Sequence, residues 1–306
     1  ITIFSKNASI NYKDYKINLF IPKEFHSKYI VDGWNYIKQF QLLRIAQVSK
    51  TSLFTVLLSN YGGQTLVAQY NITNKVPGLI PGFISKIIMN LFPAISAHFE
   101  SNEKEKLIPF FEKVFKLGIF TTLFCLYALF SLNEMFIELW VGQDKFIGFD
   151  IFIFILLNFV IMTLISFTGI IIHSSGEFQK MPLVSIIEAV VFLILSYVFF
   201  ELFGVIGVFL GYTFSATIGL IYSLILVNKI LEVNLIGWVY EGFEIFLVLF
   251  TLMLFVDIAI NVIIDNRLIS FIATGLLYVA IFVYLSGRYC KIDLFRFLYK
   301  EKLRKT

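Results

Sequence analysis

Charged side chains are scarce in this chain of 306 residues, since only 15% are Asp, Glu, Lys or Arg, against about 25% in an ordinary soluble domain. Hydrophobic residues make up 58% of the sequence, and the mean hydropathy is +0.83. An excess of this size, arranged in runs of membrane length, argues against one or two soluble domains. The sequence predicts an all-α, polytopic helical membrane protein.

Cysteine and histidine are also rare, which removes several classes of site. Cys125 lies inside an apolar run and Cys290 beside a basic tail, so neither a disulfide framework nor a metal-binding cysteine pair is expected. The three histidines have no partner at ligand spacing, and no glycine-rich loop ends in Lys-Ser/Thr. We therefore expect no metal, no cofactor and no nucleotide hydrolysis, and these residues give no sign of an enzyme.

From Lys38 onward, eight stretches have the roughly 20 residues that a helix needs to cross about 30 Å of hydrocarbon. Short loops join them, which leaves no room for a folded domain outside the membrane. The predicted spans lie near 37–59, 67–97, 114–133, 151–172, 183–202, 204–228, 244–264 and 268–287.

The distribution of Lys and Arg predicts the orientation of these spans. Nineteen of the 25 cations fall in the loops and ends on one side, and two fall on the other. Positive loops stay in the cytoplasm, so both ends of the chain are expected there. The basic tail is then expected to touch anionic lipid, and nucleic acid is not an expected partner. Because the chain begins with Ile1 and has no leader, we expect it to be a piece of a longer protein.

Two of the remaining cations, Lys75 and Lys86, share a stripe about 80° wide on the second span. Pro77 and Pro81 lie between them and are expected to bend the helix and free backbone carbonyls. One interpretation is a water-filled cavity that admits an anion. The other is that both lysines snorkel to the interfaces and the prolines are structural. The stripe consists of Asn71, Lys75, Gly78, Gly82, Lys86 and Met89.

The other intramembrane charges extend this prediction. Arg44 and Lys50 lie in an arc of polar residues on the first span, so they are further candidates for cations that line a substrate path. Two acidic residues, Glu188 and Asp257, lie within later spans. Each could bind a coupling ion or pair with a lysine, and their spacing does not choose between the two.

A ladder of small residues occupies every fourth position of the sixth predicted span. Such a ladder lets another helix approach closely and predicts packing rather than chemistry. Its members are Gly207, Gly211, Ser215 and Gly219.

Six short segments, in this order along the chain, resemble a known family. They are Leu66–Lys75, Leu91–Ser96, Glu103–Leu107, Leu139–Gly142, Ser175–Lys180 and Gly204–Gly211. They look like parts of the polysaccharide transporter family, the O-antigen and capsule repeat-unit flippases of the multidrug/oligosaccharidyl-lipid/polysaccharide superfamily. The resemblance covers most of residues 36–230.

The resemblance implies a MATE-like transporter of fourteen helices, of which this chain would supply the seventh to the fourteenth. Residues 1–35 would be a cytoplasmic linker, 36–230 a six-helix lobe, 231–288 two additional helices, and 289–306 the basic cytoplasmic tail. The implied protein moves an isoprenoid-pyrophosphate-linked oligosaccharide across the bacterial inner membrane in polysaccharide biosynthesis.

The resemblance also implies partner proteins, and alternative functions remain open beside it. A polysaccharide polymerase and chain-length machinery would be expected to act with such a protein, alongside membrane lipids. A multidrug or other lipid exporter of the same superfamily would share the architecture. A membrane-embedded polymerase or acyltransferase is a further alternative, although the sequence lacks the long external loop expected of one.

Overall fold

A bundle of long helices follows a short β-hairpin in the computed structural model, which describes residues 9–12, 15–18, 27–101, 104–264 and 266–289. The hairpin pairs β1 (Ser9–Tyr12) with β2 (Tyr15–Asn18) in antiparallel register. The rest of the described chain is helical or lies in short connections, as the predicted fold class requires. Apart from Tyr289, the predicted basic tail lies outside the described residues.

Nine α-helices make up the bundle over the described residues. Their bounds are α1 (Ser27–Thr73), α2 (Lys75–Met89), α3 (Phe92–Glu100), α4 (Lys104–Val141), α5 (Phe149–Ser174), α6 (Met181–Phe203), α7 (Val205–Leu231), α8 (Leu235–Ile263) and α9 (Arg267–Tyr289). The predicted boundary between the fifth and sixth spans is confirmed at Gly204, which has a positive φ of 60° between α6 and α7. Helix α1 begins at Ser27, within the stretch 1–35 that the sequence predicts to be a cytoplasmic linker.

The number of predicted spans is not confirmed. Five helices of the described chain are long and apolar enough to cross a membrane, or six if α2 and α3 together form one span. Helix α1 is long enough, but polar and charged residues interrupt it along its length. In α8, only Phe250–Ile260 qualifies as an apolar segment among the described residues.

The second predicted span, 67–97, is wrong as a single helix. Its first part belongs to α1, which has a non-helical kink at Gly63 (φ 78°, ψ 172°). A turn at Asn74 separates α1 from α2, and a bend of 44° follows between α2 and α3. Lys75 and Lys86 therefore lie in one helix and not on opposite sides of this bend.

Helices α6 and α7 form the most closely packed pair of the bundle. A Cβ added to Gly207 would clash with the carbonyl oxygen of Phe199, and one added to Gly211 would lie 2.7 Å from the backbone nitrogen of Ser196. Gly207 and Gly211 thus let α7 approach the α6 backbone closely, as the ladder predicts. Helix α7 also packs on α5, while α1 packs mainly on α6 and α2 on α5.

Helices α8 and α9 pack together against α4, on which polar contacts hold them at three levels. Near one end, Lys116 of α4 forms an ion pair of 2.6 Å with Glu241 of α8. Near the other, Arg267 of α9 pairs with Glu138 of α4 at 2.7 Å. Between these two ion pairs lies the third contact, which involves the carboxylate of Asp257 in α8.

Candidate functional site

A buried ion pair lies where α1 meets α6. The Nζ atom of Lys50 donates a hydrogen bond of 3.2 Å to Oε2 of Glu188. The Lys50 side chain is 6% exposed and that of Glu188 is 15% exposed. Each charge is costly in this environment, so each compensates the other. The acid–lysine pairing that the sequence left open for Glu188 is the arrangement observed.

The surroundings of this pair come from α7 and from aromatic side chains. The Nζ atom of Lys50 lies 4.9 Å from the ring centroid of Tyr212, a cation–π contact. Phe54, one helical turn after Lys50, packs edge-on against Tyr70 and Phe209. A Cβ at Gly219 would clash with Oε1 of Glu188. At this position of the ladder, the absence of a side chain makes room for the Glu188 carboxylate and not for the backbone of α6.

The stripe predicted on the second span is uncovered along its length. Hydrogen bonds from Asn74 N to Tyr70 O and from Gly78 N to Asn74 O preserve the helical pattern across the turn, so the stripe continues from α1 into α2. Within the described ranges, Lys75 and Lys86 form no ion pair. All six members are exposed: Asn71, Lys75, Gly78, Gly82, Lys86 and Met89.

The predicted path cations therefore divide into two groups. Arg44 is exposed on α1, and Lys75 and Lys86 are exposed on α2. Lys50 is buried in the bundle against Glu188, so the structure does not bring it together with the exposed three. About 16 Å separates Lys75 from Lys86 along α2, at about 1.5 Å per residue.

Pro77 frees a backbone carbonyl, and a protein side chain binds it. Proline has no N–H, so the carbonyl oxygen of Thr73 lacks its usual helical donor. The Nδ2 atom of Asn133 in α4 donates to that oxygen at 3.0 Å, and both residues are buried. The Thr73 hydroxyl oxygen also accepts from the backbone nitrogen of Ile147. The carbonyl oxygen that Pro77 leaves without a helical donor therefore links the end of α1 to α4 through Asn133.

Three hydroxyl groups surround the second acidic candidate, Asp257. Tyr127 and Ser131 of α4 donate to its Oδ2 atom at 2.9 and 2.8 Å. Tyr278 of α9 donates to Oδ1 at 2.5 Å. Both tyrosines are buried, at 3% and 2% exposure. No Lys or Arg of the described chain forms an ion pair with Asp257.

Asp257 stands out in the sequence as an acid within an apolar span, but its hydroxyl partners do not. Tyr127 and Ser131 are four residues apart, a spacing that places two hydroxyls on one face of an apolar helix. That pattern was a usable signal within α4. Tyr278 carries no comparable signal, because only the packing of α9 brings it to Asp257.

A cavity of about 520 Å³ opens at the end of the bundle that the Lys and Arg bias predicts to be cytoplasmic. Lys104, Lys180 and Lys229 line it, together with one acid, Glu177. The Nζ atom of Lys104 donates to the carbonyl oxygen of Ile230 at 3.2 Å. The lining has a net positive charge and suits a phosphate-bearing group.

Comparisons with known proteins add no further constraint on this site. No family model, no curated protein and no solved structure matches the chain.

Proposed function

We propose that this protein is one wall of a membrane transporter that moves an isoprenoid-pyrophosphate-linked oligosaccharide from the cytoplasmic to the outer leaflet. The observation that carries the proposal is the uncovered cationic stripe on α2. Lysines at membrane depth are costly unless they meet water or an anion. A pyrophosphate group that leaves bulk water needs such cations. In this proposal Lys75 and Lys86 meet it in succession.

The distribution of the other charges supports an anionic cargo over a cationic drug. An exporter of cations would present acidic side chains to its path. Here Glu188 is paired with Lys50, and Asp257 accepts hydrogen bonds from hydroxyl groups. The exposed charges of α1 and α2 within the predicted spans are all cationic, namely Lys38, Arg44, Lys75 and Lys86. The lysine-lined cavity at the opposite end from the α4–α5 connection offers a place where a phosphate-bearing headgroup would first be held.

The test uses cells that carry the whole gene and measures polysaccharide at the cell surface. Alanine at both Lys75 and Lys86 should abolish or strongly reduce surface polymer. Protein abundance in the membrane should stay nearly unchanged, because removal of intramembrane charge eases insertion. Arginine at Lys86 should partly restore the polymer, since it keeps the charge and adds donors that bind phosphate.

Lys145→Ala is the matched control, because Lys145 is exposed in the connection between α4 and α5 and lies outside both helices. It should leave surface polymer unchanged. Wild-type polymer in the double variant would contradict the proposal and favour lysines that merely snorkel. Intact polymer with increased sensitivity to toxic compounds would favour a drug exporter instead.

A further inference from the structure

The cavity at the end of the bundle gathers lysines from three separate elements. Lys104 begins α4, Lys180 ends the short 3-10 helix Glu177–Lys180 that precedes α6, and Lys229 lies in the last turn of α7. With three lysines against the one acid, Glu177, the lining carries a net charge of +2. These residues are far apart in the sequence, so only the folded bundle brings them together.

The ammonium groups of these lysines are available to an anion. Within the described ranges, none of the three forms an ion pair. The Nζ atom of Lys104 donates to the carbonyl oxygen of Ile230 near the C-terminus of α7, which holds that ammonium group at the cavity and leaves two of its three donors. Lys180 and Lys229 are exposed. A phosphate group, with several charged acceptor oxygens, matches such a set of donors.

The α7 side of the cavity is apolar and carries one hydroxyl group. Ile225 and Leu226 line it, together with Phe99 of α3. Tyr222 lies seven residues before Lys229 on the same side of α7, and its hydroxyl group makes no hydrogen bond with another described residue. That hydroxyl can donate to a phosphate oxygen. A free phosphate ion gains nothing from an apolar wall, whereas the phosphate of a lipid continues into hydrocarbon.

An exposed apolar stripe on α7 leads to this wall. Helix α7 is long and apolar enough to cross a membrane. Phe214, Ile221 and Ile225 are each more than half exposed, and their spacing places them on one helix face, which we call the α7 stripe. It is about 16 Å long at about 1.5 Å per residue, close to half of the roughly 30 Å of bilayer hydrocarbon. Lys229 follows one turn later on the same side, so it lies where the headgroups of that leaflet begin.

We propose that the cavity and the α7 stripe together form a binding site for an anionic lipid. Lys104, Lys180 and Lys229 hold the phosphate group, and the hydrocarbon chain lies along the α7 stripe. The cavity volume of about 520 Å³ is within the range of ligand pockets in proteins. None of the described lining residues belongs to α1 or α2, so the site is separate from the exposed lysines of α2. Lipid binding requires no transport, so the site does not rest on the function proposed above.

Native mass spectrometry of the purified full-length protein in detergent measures lipid binding directly. The probes are phosphatidylglycerol and phosphatidylcholine with identical acyl chains, and we expect the anionic lipid to bind more tightly. Lys180→Gln/Lys229→Gln should weaken phosphatidylglycerol binding about 30-fold, the loss expected for two lysines at a membrane surface. Phosphatidylcholine binding should stay unchanged.

The matched control is Lys106→Gln/Lys113→Gln, which removes the same charge from exposed positions of α4 that do not line the cavity. It should bind phosphatidylglycerol like the wild type. Both double variants change exposed side chains, so both should fold. Equal binding of the two lipids by the wild type, or undiminished phosphatidylglycerol binding by Lys180→Gln/Lys229→Gln, would overturn the proposal.

A second measurement locates the hydrocarbon chain. Phosphatidylglycerol with a photoactivatable diazirine in its acyl chain should cross-link to the α7 stripe, and peptide mass spectrometry identifies the linked residues. Lys180→Gln/Lys229→Gln should lose these cross-links, whereas the control variant should keep them. Cross-links confined to other helices would contradict the site.

Two competitors distinguish the sources of the phosphate group. A polyprenyl phosphate should displace the diazirine lipid, because it carries the same kind of headgroup on an apolar chain. Inorganic phosphate at the same concentration should not, because it lacks the chain. Displacement by inorganic phosphate alone would overturn the lipid assignment and identify a free-phosphate site. Surface polysaccharide is not measured here, so failure of this site and failure of the proposed function are separate results.

Discussion

At the scale of single residues, the buried Lys50–Glu188 pair is expected to affect stability more than any exposed cation of the chain. Lys50→Ala leaves a carboxylate uncompensated among aromatic side chains, which should cost about 3–5 kcal/mol. The double variant Lys50→Met/Glu188→Gln should recover most of that loss, because it leaves no unpaired charge. Thermal unfolding in detergent measures both effects.

Arg44→Ala is the control for this prediction, because Arg44 is exposed on the same helix. It should change the melting temperature little. If Lys50→Ala melts like the wild type and yet abolishes transport, the pair acts in the path and has no structural role.

The carbonyl freed by Pro77 allows a second prediction at this scale. Asn133→Ala removes the donor to Thr73 O and leaves a buried carbonyl unsatisfied, at a cost of about 1–3 kcal/mol. Adding Pro77→Ala restores a backbone N–H to bind the same oxygen. The double variant should therefore unfold at a higher temperature than Asn133→Ala alone. An equal or lower temperature would show that the amide of Asn133 matters for another reason.

At the scale of elements, the α6–α7 contact depends on glycine. Gly211→Ala places a Cβ against the α6 backbone and should cost about 1–3 kcal/mol. Gly211→Leu should lower the amount of folded protein in the membrane further. Size-exclusion chromatography of the detergent extract measures both variants.

Gly275→Ala serves as the control for the ladder, since Gly275 lies within α9 and a Cβ there would meet nothing within 4 Å. It should elute like the wild type. Normal abundance of Gly211→Leu with loss of transport would instead indicate that this face of α7 lines the path.

At the scale of the whole molecule, the orientation predicted from charge can be tested with two introduced cysteines. Ser101 and Gln143 are exposed residues that lie just beyond opposite ends of α4. In a background without Cys125 and Cys290, a membrane-impermeant thiol reagent should label Gln143→Cys in intact cells. It should label Ser101→Cys only after the membrane is opened. The reverse pattern would contradict the charge-based orientation.

The positions of several helices could be predicted from the sequence, because the length of an apolar run and the residues that form turns are local features of the chain. The predicted spans 151–172 and 183–202 lie inside α5 and α6, and the break at Gly204 is where the backbone needs a positive φ. The prediction of a single helix over 67–97 failed because the mean hydropathy of a window does not register a break in the helix. A turn at Asn74 and a bend between α2 and α3 interrupt a stretch whose mean hydropathy is high.

The sequence by itself determined that the chain is helical with several helices of membrane-spanning length, and that Lys75 and Lys86 share one helix face. Both conclusions follow from composition and from the period of the helix. Only the tertiary structure decided the partners of the buried charges, since Lys50 meets Glu188 across 138 positions and Tyr127 meets Asp257 across 130. Helical periodicity gives the direction in which a side chain points. Which helix lies in that direction depends on the packing of the whole bundle.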